Sequence, residues 1–236
     1  MNSVLANLKI DCTNCRLQHL CIPRGLSKQD IQNLSDLVQN DTLVHKGDFI
    51  YRQGDDFYGL IAISAGSAKM LSTDSEGNEN LTNLVLPGEL IGFDGVATKA
   101  HQCSAVALET VNYCKLNPAE LDVLCNQFPS LLRELFSHSC EAITESQRNP
   151  SHKNQAASKK LAQFLLTLSN RLMSRGFSAS EFNLTLNRQD LALHLNLTPE
   201  TISRLFSKLH KEKIISVTGK NIKIVNPEKL KIVATD

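Results

Sequence analysis

The sequence lacks any hydrophobic run approaching the roughly 20 apolar residues that a membrane-spanning helix needs. Residues 1–9 also lack the basic patch, apolar core and small-residue cleavage site of a secretory signal. No Ser-His-Asp set, pair of carboxylates or phosphate-binding loop stands out, which argues against an enzyme. We therefore expect a cytoplasmic protein that is not an enzyme and does not associate with membranes.

The charges are distributed unevenly along the 236 residues. The net charge of +1 combines residues 1–150, with 11 Lys or Arg against 18 Asp or Glu, and residues 151–236, with 14 against 6. The first part thus carries −7 and the second +8. A basic C-terminal part on an acidic body is typical of a polyanion-binding domain joined to a domain with another role. We favour two modest domains over one large domain.

Three of the seven cysteines, Cys12, Cys15 and Cys21, fall within ten residues. Because the cytoplasm keeps thiols reduced, these residues indicate free thiols or metal ligands rather than disulfides. Four thiolates would suit zinc or an iron–sulfur cluster equally well, so spacing alone leaves the metal open. A thiol–disulfide switch is also compatible with the pattern.

The chain begins with helix signals and then changes to a strand pattern. Ser27 is a candidate N-cap three residues before Asp30, and apolar residues at helical spacing follow it. Residues 42–116 contain short β-prone runs separated by glycine turns, which predicts an antiparallel roll or barrel. Helical spacing returns over residues 119–146.

The helix predicted at 119–146 has a wider apolar face than a roll can cover. Leu132, Phe136 and Ile143 form one stripe, which suits a homodimer interface, although the helix could also pack only on its own roll. Pro150 cannot donate a helical hydrogen bond, so a kink or boundary is expected there.

The C-terminal part carries the signals of a helix-turn-helix. Asn187 is a candidate cap for a first helix, Asn196 suits a turn that needs positive φ, and Thr198 with Pro199 opens a second helix ending near Lys211. The alternating stretch that follows, around a glycine turn, predicts a β-hairpin wing. Together these signals predict a DNA-binding domain.

The second helix separates into two faces. Arg204 can donate to guanine O6 and N7, Glu200 can accept from cytosine N4, and Ser203 can contact a base edge or phosphate. Lys208 and Lys211 would contact the DNA backbone. The opposite, docking face consists of Ile202, Leu205, Phe206 and Leu209.

Several stretches resemble the CRP/FNR superfamily of bacterial transcription regulators, and in particular its fumarate and nitrate reduction regulators (FNR). They are Leu20-Cys-Ile-Pro23, residues 87–94, Ala107-Leu-Glu-Thr110, Arg175-Gly-Phe-Ser178 and Thr201-Ile-Ser-Arg-Leu205. The resemblance covers nearly the whole chain. It implies an α+β fold: a Cys-rich segment over 1–27, a cyclic-nucleotide-binding-like β-roll over 28–118, a dimerisation helix over 119–150 and a winged helix-turn-helix over 151–236.

The same resemblance implies a cofactor and an activity. FNR-like proteins hold a [4Fe–4S] cluster on three N-terminal cysteines and one from the roll, which match Cys12, Cys15, Cys21 and Cys114 by position; Cys103 is the rival for the fourth. An oxygen-responsive homodimeric regulator is then expected, working with RNA polymerase at two-fold TTGAT-like DNA sites. A zinc-stabilised or thiol-redox regulator is the alternative.

Other ligands of the superfamily fit this chain less well. CRP-like pockets use an Arg-Ser-Ala motif to neutralise the phosphate of a cyclic nucleotide, but this chain has Cys103-Ser104-Ala105, so no cyclic nucleotide is expected. A haem site through His19 or His101 would rest on a lone histidine.

The chain departs from the FNR pattern at two places. Arg16 follows a candidate ligand where such proteins usually have a small residue, and could alter solvent access to a cluster. In FNR-like proteins the long helix stays apolar farther and carries an acidic residue that disfavours the cluster-free dimer, whereas this chain has Ser-Gln-Arg-Asn-Pro over residues 146–150. Either the dimer depends more on residues 132–143, or the cluster-free dimer is less strongly disfavoured.

Overall fold

The computed structural model describes residues 12–24, 26–127, 129–148 and 155–235. The chain divides into two compact units, one made of residues up to 70 with 84–142, the other of 71–83 with 143 onward. Within the described residues, none of the helices has the length and apolar character to cross a membrane.

The first half of the chain has one helix followed by eight strands. These are α1 (Lys28–Leu37), β1 (Gln39–Val44), β2 (Phe49–Tyr51), β3 (Leu60–Ala65), β4 (Ala68–Thr73), β5 (Glu79–Val85), β6 (Leu90–Ile91), β7 (Ser104–Ala107) and β8 (Val111–Leu116). The strands form two four-stranded sheets, in the orders β1-β8-β3-β6 and β2-β7-β4-β5. The pairs β1–β8, β3–β8 and β2–β7 are antiparallel, as expected for a roll.

Two apolar clusters form the interior of the first unit. One fills the roll and includes Ile61, Ile63 and Tyr113. The other lies outside the roll and joins α1 to the strands through Leu34, Leu60, Leu116 and their neighbours. Because side chains alternate along a strand, β8 can contribute to both clusters from its two faces.

Local signals explain α1. Ser27 lies just before the helix, and its Oγ accepts a hydrogen bond from the amide of Asp30 at 3.2 Å. This bond satisfies one of the amides that the first helical turn leaves without a partner. The predicted helix and its cap are therefore confirmed.

The helical segment predicted at 119–146 consists of two helices, α2 (Pro118–Gln127) and α3 (Pro129–Arg148). Pro129 has no amide hydrogen to continue the hydrogen-bond ladder of α2, but a proline is well suited to the first turn of a new helix. The prediction of one continuous helix is wrong for this reason. Pro150, where a kink was predicted, lies outside the described residues.

Residues 155–235, which belong to the second unit, contain four helices and a small sheet. They are α4 (Ala157–Met173), β9 (Glu181–Asn183), α5 (Arg188–Leu195), α6 (Pro199–Lys211), β10 (Ile215–Thr218), β11 (Asn221–Ile224) and α7 (Pro227–Thr235). The sheet has the order β10-β11-β9. Leu161, Leu165, Leu191 and Ile202 are fully buried and fix the helices around one core. The predicted α+β fold, with a β-roll and a winged helix-turn-helix, is confirmed.

Candidate metal centre and nucleic-acid interface

Four thiols from two distant parts of the chain line one cavity of about 40 Å³. They belong to Cys12, Cys15, Cys21 and Cys114. The rest of the wall comes from the loop itself, α1, β3 and the end of β8. The loop's three thiols therefore share one cavity with a thiol from the roll.

The loop over residues 12–24 is held by backbone contacts. The amide of Cys12 donates to Ser35 Oγ at 3.1 Å, which ties the loop to α1. Within the loop, the amide of Leu17 donates to Cys15 Sγ at 3.4 Å. Hydrogen bonds from backbone to sulfur are one means by which a protein tunes a thiolate-bound metal group.

Gly88 permits the loop to approach the roll closely. Its φ is +87°, and a Cβ added there would lie 3.1 Å from Leu20 Cβ. A larger residue would both strain the backbone and push against the loop. The glycine thus serves the docking of the loop as well as the turn before β6.

Cys114 faces this cavity because of strand alternation. On β8, Tyr113 belongs to the cluster that fills the roll, whereas Leu116 belongs to the cluster outside it. Cys114 shares the face of Leu116 and pairs with Ala62 of β3 across the ladder. The fourth thiol is therefore carried on a central strand of its sheet.

The cavity favours the uncharged form of the Cys21 thiol until a cation is present. Burial raises the pKa of Cys21 well above its ordinary value, and the thiols of Cys114, Cys12 and Cys15 raise it further, although a backbone hydrogen bond near Ile22 opposes them. A bound metal would reverse this preference, because metal-bound cysteine is deprotonated.

The residues present fit a thiolate-bound metal group. Cys12, Cys15, Cys21 and Cys114 line one cavity of about 40 Å³, which is more than the roughly 10–15 Å³ that a single water needs. Within the described residues, no three His, Cys, Asp or Glu side chains are grouped as a metal ion would require.

Cys103, the rival fourth ligand, lies elsewhere. It is buried in the cluster that fills the roll, and its Sγ donates to Asp94 Oδ2 at 3.2 Å. Burial raises the pKa of this thiol to about 12, and the Asp94 carboxylate adds to the effect. Cys103 does not line the cavity that Cys114 shares with the loop.

The two histidines considered for haem are also apart from the cavity lining. His19 is exposed, and Arg16, which was expected to influence access to a cluster, is exposed as well. His101 is 1% exposed and stacks on Tyr51 with the ring centres 3.8 Å apart. The rings of Phe57 and Tyr58 meet it edge-on, so His101 is enclosed by aromatic side chains.

The helix-turn-helix has the local structure that the sequence predicts. Asn187 Oδ1 accepts from the amide of Asp190 at 2.8 Å, and Thr198 Oγ1 accepts from the amide of Thr201 at 3.2 Å. Asn196, between the helices, has φ +52°. Both caps and the left-handed turn residue are confirmed.

Three of the four apolar residues on the docking face of α6 are buried, and the fourth, Leu205, is half-buried. Ile202, Phe206 and Leu209 are 0%, 3% and 2% exposed. Sequence reasoning missed Arg188, whose guanidinium carbon lies 3.6 Å from the centre of the Phe206 ring. This cation–π contact joins the start of α5 to α6 and helps to fix the angle between them.

The five candidate DNA-contacting residues of α6 are all exposed: Glu200, Ser203, Arg204, Lys208 and Lys211. Arg204 Nη2 donates to Thr201 Oγ1 at 3.2 Å, a contact that the i, i+3 spacing could have predicted. Ser203 Oγ donates to the Pro199 carbonyl at 2.9 Å, which leaves its oxygen as an acceptor. A hydrogen bond from its own amide lowers the pKa of Glu200, as do Thr198 and Arg204, so this carboxylate stays ionised.

The candidate dimer stripe on α3 is exposed. Leu132, Phe136 and Ile143 are 55%, 70% and 55% exposed, while Leu131 and Leu135, beside the stripe on the helix, are 1% and 6% exposed. A row of large apolar side chains in water is typical of an interaction surface.

Comparisons with known proteins cover both halves of the chain. Residues 159–232 match the Crp-like helix-turn-helix domain, and residues 42–128 match the cyclic nucleotide-binding domain. The first range contains most of α4, all of α5 and α6 and the wing, and the second contains most of the roll together with α2.

Similar proteins are named as a transcriptional activator, a regulator and a regulatory protein. The transcriptional activator protein Anr of Pseudomonas protegens is 35% identical, over 95% of this chain and 93% of its own length. The electron transport regulator A of Shewanella oneidensis is 37% identical, over 98% and 93%. The fumarate and nitrate reduction regulatory protein of Yersinia pestis is 37% identical, over 94% and 89%.

Solved structures share the fold at lower identity. FixK2 from Bradyrhizobium japonicum has a TM-score of 0.76 at 21% identity and covers 83% of this chain and 96% of its own. A CRP/FNR-family regulator from Thermus thermophilus has a TM-score of 0.64 at 22% identity, over 83% and 98%. With relatives above one-third identity along almost the entire chain, and with both domains matched, the protein belongs to the CRP/FNR family of DNA-binding transcription regulators.

Proposed function

We propose that this protein is an oxygen-responsive regulator of transcription under anaerobic conditions, with a [4Fe–4S] cluster as its sensor. The observation that carries the proposal is the shared cavity of Cys12, Cys15, Cys21 and Cys114. The names of the relatives, which include an anaerobic regulatory protein and fumarate and nitrate reduction regulatory proteins, support it.

Four thiolates would hold the cluster, one from each of these cysteines. When bound, a cluster of this kind would supply a centre that loses iron on contact with oxygen, whereas zinc has no redox chemistry. The chain's own part is to bring the loop onto the roll and to enclose the sulfurs. The similarity to fumarate and nitrate reduction regulatory proteins supports a cluster over zinc.

Dimerisation would use the exposed stripe of α3, formed by Leu132, Phe136 and Ile143. Two copies packed along this stripe would bury the same side chains from each chain, as a two-fold interface requires. The buried Leu131 and Leu135 connect α3 to the cluster of side chains against which Cys12 and Cys21 pack, so the thiol loop and the first half of α3 share one apolar cluster.

DNA recognition would use two copies of α6 in successive major grooves of a two-fold TTGAT-like site. Arg204 would read guanine, Glu200 cytosine, and Ser203 a base edge or phosphate, while Lys208 and Lys211 would neutralise phosphates. The half-sites of such a dimer lie about 34–36 Å apart. RNA polymerase is the proposed protein partner, with activation as one outcome, and the cytoplasm the proposed location.

The roll would not respond to a cyclic nucleotide. At the position where CRP-like pockets have an arginine, Cys103 donates to the Asp94 carboxylate. A thiol beside a carboxylate cannot neutralise a phosphate.

The test is anaerobic purification followed by measurement of iron, acid-labile sulfide and zinc in the same sample. The proposal predicts about four iron and four sulfide per chain, as a [4Fe–4S] cluster contains, and their loss in air together with loss of specific DNA binding. One zinc per chain without sulfide would overturn it and establish the zinc-stabilised alternative. Neither metal, with DNA binding that follows thiol oxidation, would establish the thiol-redox alternative.

A further inference from the structure

An ion pair joins the thiol loop to α3 across 110 residues of sequence. Arg24 Nε lies 3.2 Å from Glu134 Oε2, and Arg24 Nη2 lies 3.5 Å from Ser137 Oγ. The side chains of Arg24 and Glu134 are 33% and 21% exposed, so water screens the pair only in part. Nothing in the spacing of the sequence indicates this contact.

The position of Arg24 depends on the same turn that carries Cys21. The amide of Arg24 donates to the carbonyl of Cys21 at 2.9 Å, and the amide of Leu26 donates to Pro23 at 3.1 Å. Ile22, within this turn, is 4% exposed and belongs to the apolar cluster outside the roll, which includes Leu131 and Leu135 of α3. Displacement of Cys21 from the cavity would therefore move Arg24 away from α3.

The apolar packing and the ion pair between the loop and α3 differ in kind. Ile22 belongs to the same apolar cluster as Leu131 and Leu135, and apolar packing has no preferred direction, so it permits some rotation of α3 about its own axis. The contact of Arg24 with Glu134 is a charge-assisted hydrogen bond, which does have a preferred direction. The ion pair can therefore set the rotation of the helix, which packing alone leaves less defined.

The ion pair contacts α3 on the side away from the stripe. With about 100° per residue, Glu134 and Ser137 lie roughly 150° around the helix from the line through Leu132, Phe136 and Ile143. Rotation of α3 away from Arg24 would turn this stripe by the same angle. The direction in which the stripe faces a partner thus depends on the loop.

We infer that Arg24 is a positioning residue that couples docking of the thiol loop to the rotational setting of α3, and so to dimer formation. This inference rests on the proposed roles of the loop and of α3. By linkage, whatever holds the loop in place strengthens the dimer, and dimerisation holds the loop in place. Partly exposed ion pairs are weak, so the coupling is expected to be about two- to five-fold.

A first experiment needs no metal. In the reduced, metal-free full-length protein, the rate of Cys21 alkylation by iodoacetamide reports how often the loop opens. Arg24→Gln and Glu134→Gln should each raise the rate about two- to five-fold. The charge-swapped double variant, Arg24→Glu with Glu134→Arg, should return it towards the wild-type rate.

Lys28→Gln is the matched control, since it removes an exposed cation close to the loop in sequence without touching this ion pair. The rate at Cys103, buried in the roll, should stay constant in every variant. Wild-type alkylation rates in both single variants would overturn the inference.

A second experiment measures the coupling itself. Each variant is reconstituted with iron and sulfide, and the bound iron and sulfide are measured. The dimer dissociation constant is then determined with and without the reconstituted group. The Arg24→Gln variant should take up as much iron and sulfide as the wild type. Its dimer dissociation constant in the loaded state should be about two- to five-fold higher. Equal loading with an unchanged dimer would contradict the inference. Failure of the wild type to take up iron and sulfide would instead refute the proposed function, and the alkylation rates would still decide the role of Arg24.

Discussion

The two sites of this protein are built in opposite ways. The proposed DNA-reading face comes from one continuous stretch, Thr198–Lys211, whose cap, first proline and amphipathic period lie next to one another. The thiol cavity takes its walls from a loop, a helix and two strands, with Cys114 almost a hundred residues from Cys21. A local site can be broken by one residue without changing its surroundings, whereas a composite site depends on the fold that assembles it.

The largest effect is expected from a substitution that removes a thiol from the composite site and leaves the DNA-reading face unchanged. Cys114→Ser should lower the bound iron and sulfide more than about ten-fold, because one of four ligands is lost. Cys103→Ser is the matched control and should keep both, since its thiol lies in the separate cluster inside the roll. Anaerobic iron and sulfide analysis of the two variants checks this. If Cys114→Ser kept its iron and sulfide and Cys103→Ser lost them, Cys103 would replace Cys114 as the proposed fourth ligand.

A somewhat smaller effect breaks the local site through its core. Ile202→Ala should lower the free energy of unfolding of the C-terminal unit by about 2–5 kcal/mol, since it leaves a cavity beneath α6. Ile232→Ala, at a position 56% exposed, should change it by no more than about 0.5 kcal/mol. Denaturant unfolding followed by circular dichroism measures both. Alkylation of Cys21 should keep its wild-type rate in each variant, and a large change there would contradict the independence of the two sites.

The next effect distinguishes base reading from phosphate contact on the exposed face of α6. Arg204→Ala should reduce discrimination between specific and random DNA by about 1–3 kcal/mol, because a base contact is lost. Lys208→Ala should weaken binding to both DNAs and lower the slope of log affinity against log salt by about 1. Titrations at several salt concentrations separate the two outcomes. Equal losses on both DNAs from Arg204→Ala would count against its role in reading a base.

The smallest effect concerns the turn between α5 and α6. Asn196→Ala should cost about 1–2 kcal/mol of unfolding free energy, because alanine is disfavoured at φ +52°. Asn196→Gly should be close to neutral, since glycine adopts positive φ readily. Thermal unfolding of the two variants provides the measurement. Similar losses in both would show that the asparagine side chain, rather than its backbone, stabilises the turn.

The same contrast explains what could be predicted from the sequence. Ser27, Asn187, Asn196 and Thr198 act on residues within a few positions of themselves, so cap and turn rules located their elements correctly. The break at Pro129 was missed although proline marks it, because the apolar spacing on either side was interpreted as one helix.

Long-range contacts had no local signal. The ion pair of Arg24 with Glu134, the stacking of His101 on Tyr51 and the approach of Leu20 to Gly88 all join residues far apart in sequence. Spacing identified three crowded thiols but not their partner. The choice of Cys114 over Cys103 came from resemblance to a family, and it stays a prediction until the ligands are tested.

The alternation along β8 gives the fourth thiol an unusual sensitivity to insertions and deletions. A register slip of one residue would exchange the faces of Tyr113 and Cys114, which would put an aromatic ring into the cavity and the thiol into the roll. Point substitutions around Cys114 can be absorbed by neighbouring side chains, but a length change within β8 cannot. Among natural variants of this protein, the turn just before β8 should therefore vary in length more readily than the strand itself.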